Sequence, residues 1–483
     1  MNSKRAFFIL GISAIFILAS CSGQKSSVCT VNCGGSGNSS LSLTISDTPP
    51  SGTSILSFTL PISGISLTPS GGGSQVSVFS SADFELTRLQ SDSNLIAAKV
   101  PVLAGTYTAV NVTVAAPSAV FINASGSTVG SCVAGSVCHL AGSATTITYT
   151  FPTASPLVLT ANSNQWLNLD FNYSNAIVAT NGIGLDVTQK GVLTASTTAP
   201  TGIPSGDVAN IDDFTGAVTA LSTSSITLES SVRGSLTALI SSTIPVYDPQ
   251  SQCQGLGTGS LSCIGVGSIV SLQGVLSNAG VVSATSLDVI DASTKPADEV
   301  EGTIYPSNCS GAGSYGLVLS DSVIFTSGSP LTSAILGAGV CLTLSQATTF
   351  AIDDGILTGQ GVPIVGFADS NNILEGQTVR AKVTGAATGA NGINVTATAL
   401  ILRFSRLTGT VNSVSGSILT INGLPTYLTT GSLQALTYPN ATILEGATGL
   451  SSLSFGQTVS FSALYLDSPP ATNPFQAAKI RVP

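Results

Sequence analysis

The sequence predicts an all-β protein: an N-terminal antiparallel β-sandwich followed by three tandem small β-barrel-like repeat units. Three observations lead to the all-β class. Apolar residues alternate with polar ones over short runs, as at Leu41, Leu43 and Ile45 and again at Val110, Val112 and Val114, which is the two-residue period of a strand. Clusters of Gly, Pro, Asn and Ser separate those runs and read as turns. No stretch keeps a helical period; "DFELTRLQ" (residues 83–90) is the best candidate for a short helical turn.

The first element is a targeting segment. Lys4 and Arg5 precede an apolar run over residues 6–18, too short for a permanent bilayer span. "ILASCSGQ" (residues 17–24) follows. Its Leu18, Ala19, Ser20 and Cys21 resemble the lipobox of bacterial lipoprotein precursors. The resemblance implies a signal peptide over residues 1–20, cleavage before Cys21, and a diacylglycerol (with palmitate-type chains) on the Cys21 thiol. Each buried methylene of such an anchor contributes about 0.8 kcal/mol. Ser22, where an aspartate would resemble an inner-membrane retention signal, points to the outer membrane of the cell envelope. Residues 21–40 read as a Ser/Gly-rich tether.

Charge and cysteine content fit export. The chain carries 14 Lys+Arg against 23 Asp+Glu; without Lys4 and Arg5 the balance is 12 against 23. No basic run or patch occurs, so nucleic acid is not expected as a partner. Only 8% of residues are charged, and Ser, Thr and Asn carry the polarity. Of nine cysteines, eight remain beside Cys21, and pairing by eight cysteines is not decided by sequence. Spacing favours local disulfides: Cys29 with Cys33, Cys132 with Cys138, Cys253 with Cys263, and Cys309 with Cys341. Zinc is the competing reading, but there is no CxxC and a single histidine; no metal or cofactor is expected.

Residues 41–195 form the sandwich. "LTISDTPP", "DFELTRLQ", "LAGTYTAVNVTV" and "LDFNYSNAIV" follow one another there. Together they resemble a domain-of-unknown-function family common in bacterial lipoproteins. Its landmarks map to Asp47 with Pro49, to residues 83–89, to residues 104–107 and to residues 170–172. Asn172 stands where the family pattern has a second acid, which counts against a two-carboxylate metal site there. The resemblance implies a β-sandwich and export, and no activity.

A Pro/Gly/Ser/Thr-rich linker covers residues 196–211. Three repeat units follow at 212–292, 300–405 and 406–483, with "STKPADE" (residues 293–299) breaking the first from the second. Gly216, Gly302 and Gly409 open the units, and Gly267, Gly376 and Gly456 precede a later strand in each. The units resemble a second uncharacterised family of small bacterial β-domains, which implies five- or six-stranded barrels. Closure would hide the strand edges. The expected arrangement is three beads on a string, each with its own core and able to fold alone.

The search for chemistry yields little. His139, the only histidine, adjoins Cys138 and suits a surface role. No nucleophile elbow, zinc-protease motif or P-loop occurs. Asp207, Asp212 and Asp213, like Asp353 and Asp354, are solvated turn acids or calcium ligands; neither run has EF-hand spacing. In "WLNLDFNY", Leu167, Leu169, Phe171 and Tyr173 take one strand face and Trp166, Asn168, Asp170 and Asn172 the other. That second face is the candidate ligand face, an indole for stacking on a sugar ring beside groups that bond hydroxyls. The expected function is a non-enzymatic structural, adhesin-like or binding role, lipid-anchored at the membrane with a glycan or protein partner. A glycan- or small-ligand-binding lipoprotein using the sandwich is the alternative, and an exported hydrolase the less favoured one.

Overall fold

The structure, a computed structural model, describes residues 37–48, 54–178, 183–201, 203–253, 261–294, 296–305, 309, 313–334, 336–358, 364–389, 392–428, 431–466 and 474–482. Cys21, Cys29 and Cys33, with the signal peptide and most of the tether, lie outside the described residues. The fold is all-β, and the helical turn expected at residues 83–90 is the 3-10 turn Leu86–Leu89, capped by the Glu85 side chain. Among the described residues no helix is long and apolar enough to cross a membrane.

The N-terminal module is a sandwich of two sheets. One carries, in order, Leu193–Ser196, Asn164–Phe171, Asn38–Asp47 and Ser93–Leu103; the other is built on Ile55–Pro69 and Gly105–Val114. Alternation buries Leu41, Leu43, Ile45, Leu167, Leu169 and Phe171 against Phe58, Leu60, Val110 and Val112 in one core. One pairing departs from the antiparallel expectation. Asn38–Asp47 runs parallel to Asn164–Phe171, from Ser40 opposite Asn164 to Asp47 opposite Phe171.

Each repeat unit closes into a six-stranded barrel. In the second, the order is Gly339–Thr343, Ser314–Val323, Asp298–Tyr305, Thr378–Gly389, Gly392–Arg403 and Thr349–Ile352, and Gly339–Thr343 also pairs with Gly392–Arg403 to shut the ring. The first and third barrels have the same connectivity. The repeat glycines explain why. Gly216, Gly302 and Gly409 lie inside strands rather than at their starts, each where the neighbouring strand crosses closely; a Cβ on Gly302 would meet the Val318 carbonyl oxygen at 2.0 Å. Gly267, Gly376 and Gly456 all have positive φ, which a side chain would strain. Their amides donate to the carbonyls of Val218, Ile304 and Val411, and those residues' amides donate back to Ser268, Gln377 and Gln457. Each of these three acceptors lies two residues after its barrel's strand glycine, so one turn–strand clasp is made three times.

The modules are not beads on a string. Strand Asp207–Leu221 of the first barrel joins the sandwich sheet beside Ser93. Tyr438, Ala441, Leu464, Leu466 and Ala478 of the third barrel complete the apolar core of the second. Leu56, Val120 and Ile122 of the sandwich pack with Val318 of the second barrel. Small domains bury a smaller fraction of their surface than large ones, and these barrels add shared apolar contacts to their own cores. Cys132–Cys138, Cys253–Cys263 and Cys309–Cys341 are disulfides, with Cα–Cα separations of 5.8, 5.5 and 5.6 Å.

Candidate functional site

The expected ligand face is corrected first. Trp166 is only 6% exposed and packs with Val208, Ile211 and Phe214 of the first barrel. Its Nε1 donates to Thr44 Oγ1 at 3.0 Å. Thr44 Oγ1 donates to Asn168 Oδ1 (2.8 Å), Asn168 Nδ2 to Ser46 Oγ (2.8 Å), and Ser46 Oγ to Asp170 Oδ1 (2.7 Å). Asn172 precedes the 3-10 turn Tyr173–Ala176 and accepts from Ser174 Oγ. These side chains therefore zip two parallel strands together, with Trp166 beneath the first barrel and Asn168, Asp170 and Asn172 half-buried, so the indole is not open for a sugar to stack on. His139 is exposed on strand Val137–Ala141.

The landmarks of the sandwich act as pins. Glu85 accepts from Ser57 Oγ (2.5 Å), Phe58 N (2.8 Å) and Thr87 Oγ1 (2.8 Å). Tyr107 Oη donates to the Leu103 carbonyl at 2.8 Å. Burial pushes the Asp47 carboxyl well above the usual range, and the neighbouring Asp170 pushes the same way.

Chemistry concentrates where the four modules meet. Arg88, Arg233, Arg380, Arg403, Arg406 and Arg481, every arginine among the described residues, enter ion pairs there. Asp213 is the centre. It sits in a bulge of strand Asp207–Leu221 with a left-handed φ of 52°. A bulge turns an extra residue out of the strand's alternation, and here it faces three guanidinium groups: Arg88 of the sandwich, Arg403 of the second barrel, and Arg406 of the third at 2.7 Å. Ser271 Oγ adds a bond at 2.7 Å. Arg88 also pairs with Glu301, which Arg380 holds at 3.0 Å while bonding Glu299 at 2.6 Å. Burial alone would raise the Asp213 and Glu301 carboxyls; the surrounding guanidiniums hold Asp213 well below, and Glu301 below, the usual range.

Arg406 bridges to a second lobe, bonding Asp92 at 2.8 Å. There Lys479 Nζ meets Asp212 at 2.6 Å, Glu445 at 3.2 Å and Asp92 at 3.4 Å. Burial, opposed by Lys479 but reinforced by the adjacent Asp92, pushes Asp212 up to about 7. Asp288, on strand Val282–Asp291, is pushed up to about 7 by burial, against the pull of Arg403. Asp92, Asp212, Asp288, Arg406 and Lys479 line a cavity of about 430 Å³ among the three barrels.

Of the acids expected as solvated turn groups or calcium ligands, Asp207, Asp212, Asp213, Asp353 and Asp354, three enter ion pairs. The structure spends them on cations instead, Asp213 and Asp353 both on Arg403 and Asp212 on Lys479. Sequence reasoning missed Arg88, Glu301, Arg380, Arg403, Arg406 and Lys479. Their signal was present: charges embedded in apolar strands, as in "ALILRFSRL" and "AAKIRV", in a chain where charge is scarce.

Comparison with known proteins adds a partial family assignment. Residues 38–188 match the family described as Domain of unknown function (DUF4382). That part of the chain is a DUF4382 domain. It is the sandwich, and it contributes Arg88 and Asp92 to the junction. No curated protein matches the chain. A solved structure described as a multidomain protein with nucleic acid binding domains from Streptococcus pneumoniae TIGR4 aligns at 8% identity over 58% of this chain and 75% of that one, with a TM-score of 0.11. At that score no likeness of fold is drawn.

Proposed function

We propose that the chain is an exported lipoprotein, anchored through Cys21 at the outer membrane, whose DUF4382 sandwich and three barrels form one non-catalytic body for display and binding at the cell envelope. The observation that carries this reading is the cluster around Asp213, to which all four modules contribute a charged side chain. Buried ion pairs of this kind specify one arrangement more than they add stability, and a fixed arrangement suits presentation of a surface. The acids of the junction support a structural role, since Asp92, Asp212 and Asp213 each face a cation. The anchor rests on the lipobox resemblance at residues 18–21.

Labelled palmitate tests the anchor. Cells expressing the chain should incorporate label and retain the protein in the membrane fraction, and Cys21→Ser should lose both. Equal labelling of the two would overturn it.

A further inference from the structure

The cavity among the three barrels is the part of the junction that the ion pairs do not fill. Its volume of about 430 Å³ falls within the roughly 300–1,000 Å³ of small-molecule sites. Pro245 and Val275 of the first barrel, Ile356 of the second, and Phe404 and Ile443 at and beyond the junction with the third give it apolar walls. One of its lining residues carries an unspent polar atom. Asp288 is 3% exposed, and its Oδ1 has no hydrogen-bond partner among the described residues. An orphaned carboxylate oxygen beside an apolar cavity is costly to the folded state, so a donor arriving there gains the whole interaction.

The chemistry of that donor follows from what surrounds it. Arg406 and Lys479, the cations on the wall, are committed to Asp92, Asp213, Asp212 and Glu445. Arg403, which attracts Asp288, is held by Asp213 and Asp353. Asp213 and Asp354 repel the Asp288 charge, Gln273 bonds its carboxyl, and Tyr247 feels it from the facing strand. With its acids ionised the wall carries Asp92, Asp212 and Asp288 against Arg406 and Lys479, which leaves one negative charge over. A divalent metal needs more free oxygens than the single one on Asp288, and an anion would meet that excess charge. A hydroxyl-rich sugar would leave most of its hydroxyls against hydrocarbon.

We propose that this cavity binds an organic ammonium ion, its apolar body against Phe404, Ile356 and Val275 and its N–H donating to the Asp288 carboxylate. The ligand class is a small amine with an aromatic or aliphatic body. Because burial holds Asp288 up to about 7 and an alkylammonium keeps its proton well above that, binding is strong above pH 7. Below pH 7 the carboxyl takes a proton and binding weakens, by on the order of tenfold or more at pH 5.5.

Titration calorimetry on the intact mature protein tests this with 2-phenylethylammonium, its neutral analogue 2-phenylethanol and the anion phenylacetate. The ammonium should bind at pH 8, at least tenfold more tightly than either analogue, and should lose that advantage at pH 5.5. Asp288→Asn should abolish the preference for the ammonium and reduce the pH dependence to the part that Asp212, the other wall acid raised to about 7, supplies, while leaving the alcohol's weak binding unchanged. Ile443→Trp, at a 39% exposed wall position opposite Lys479 in the neighbouring strand, should weaken all three by narrowing the cavity. Equal binding of alcohol and ammonium, preference for the anion, no binding of any probe at millimolar concentration, or a pH-independent wild-type affinity would each overturn the proposal.

Discussion

Asp213 shows how much can hang on one side chain. It neutralises guanidiniums from three modules, and Asp213→Asn would leave Arg88, Arg403 and Arg406 buried with a charge too many. Breaking a buried pair costs about 3–5 kcal/mol, so the urea midpoint should fall by that equivalent. A change under about 1 kcal/mol would show that the cluster does not bind the modules. The pH dependence has two opposing parts. Asp213 and Glu301 are held below the range of an unfolded carboxyl, so their contribution is present above about pH 4 and is lost as pH falls below it. Asp288 and Asp212 are raised to about 7. Their contribution is full below about pH 4 and is lost as pH rises through 7. Asp288→Asn should therefore raise the urea midpoint at pH 8 and leave it unchanged near pH 4. A variant destabilised at pH 8 would contradict the assigned direction.

Within the barrels, two kinds of glycine do different work, and substitution separates them. A Cβ at Gly302 would press the Val318 carbonyl oxygen at 2.0 Å, whereas at Gly456 nothing lies within 4 Å and only the positive φ of 80° stands in the way. Gly302→Ala forces two backbones apart and should cost about 3 kcal/mol; Gly456→Ala should cost about 1 kcal/mol. Urea unfolding of the two variants at neutral pH gives the order directly. The Cys309–Cys341 disulfide ties the loop after strand Asp298–Tyr305 to strand Gly339–Thr343. Replacing both cysteines by serine should cost about 3–4 kcal/mol on the chain-entropy account, read as a lower melting temperature under non-reducing conditions.

At the scale of the molecule, the barrels are expected to unfold with the sandwich rather than one by one. A fragment beginning at residue 297 would keep Arg403, Arg406 and Lys479 but lose Asp213, Asp92 and Asp212, their partners across the junction. It should show a lower urea midpoint than the intact chain, which in turn should give coincident transitions by near- and far-ultraviolet circular dichroism. Separate transitions, or a fragment as stable as the whole, would restore the beads.

The strands, the six-residue spacing of Cys132 and Cys138 and the thrice-repeated glycines were legible because each is a local pattern: alternation, a short loop, a fixed offset along one strand. Those features by themselves determined an all-β chain with a sandwich and three like repeat units; that the units are barrels came from their resemblance to a family. Alternation also placed Trp166 on the face opposite Leu167 and Leu169, but it says nothing about what covers the indole, and a barrel covers it. The junction was decided by tertiary structure alone. Arg88 finds Glu301 across 213 positions and Arg406 finds Asp92 across 314. A charge inside an apolar strand announces that it needs a partner, because burial without one is prohibitive; which partner depends on how separate modules dock, and Coulomb attraction acts through space without regard to position along the chain.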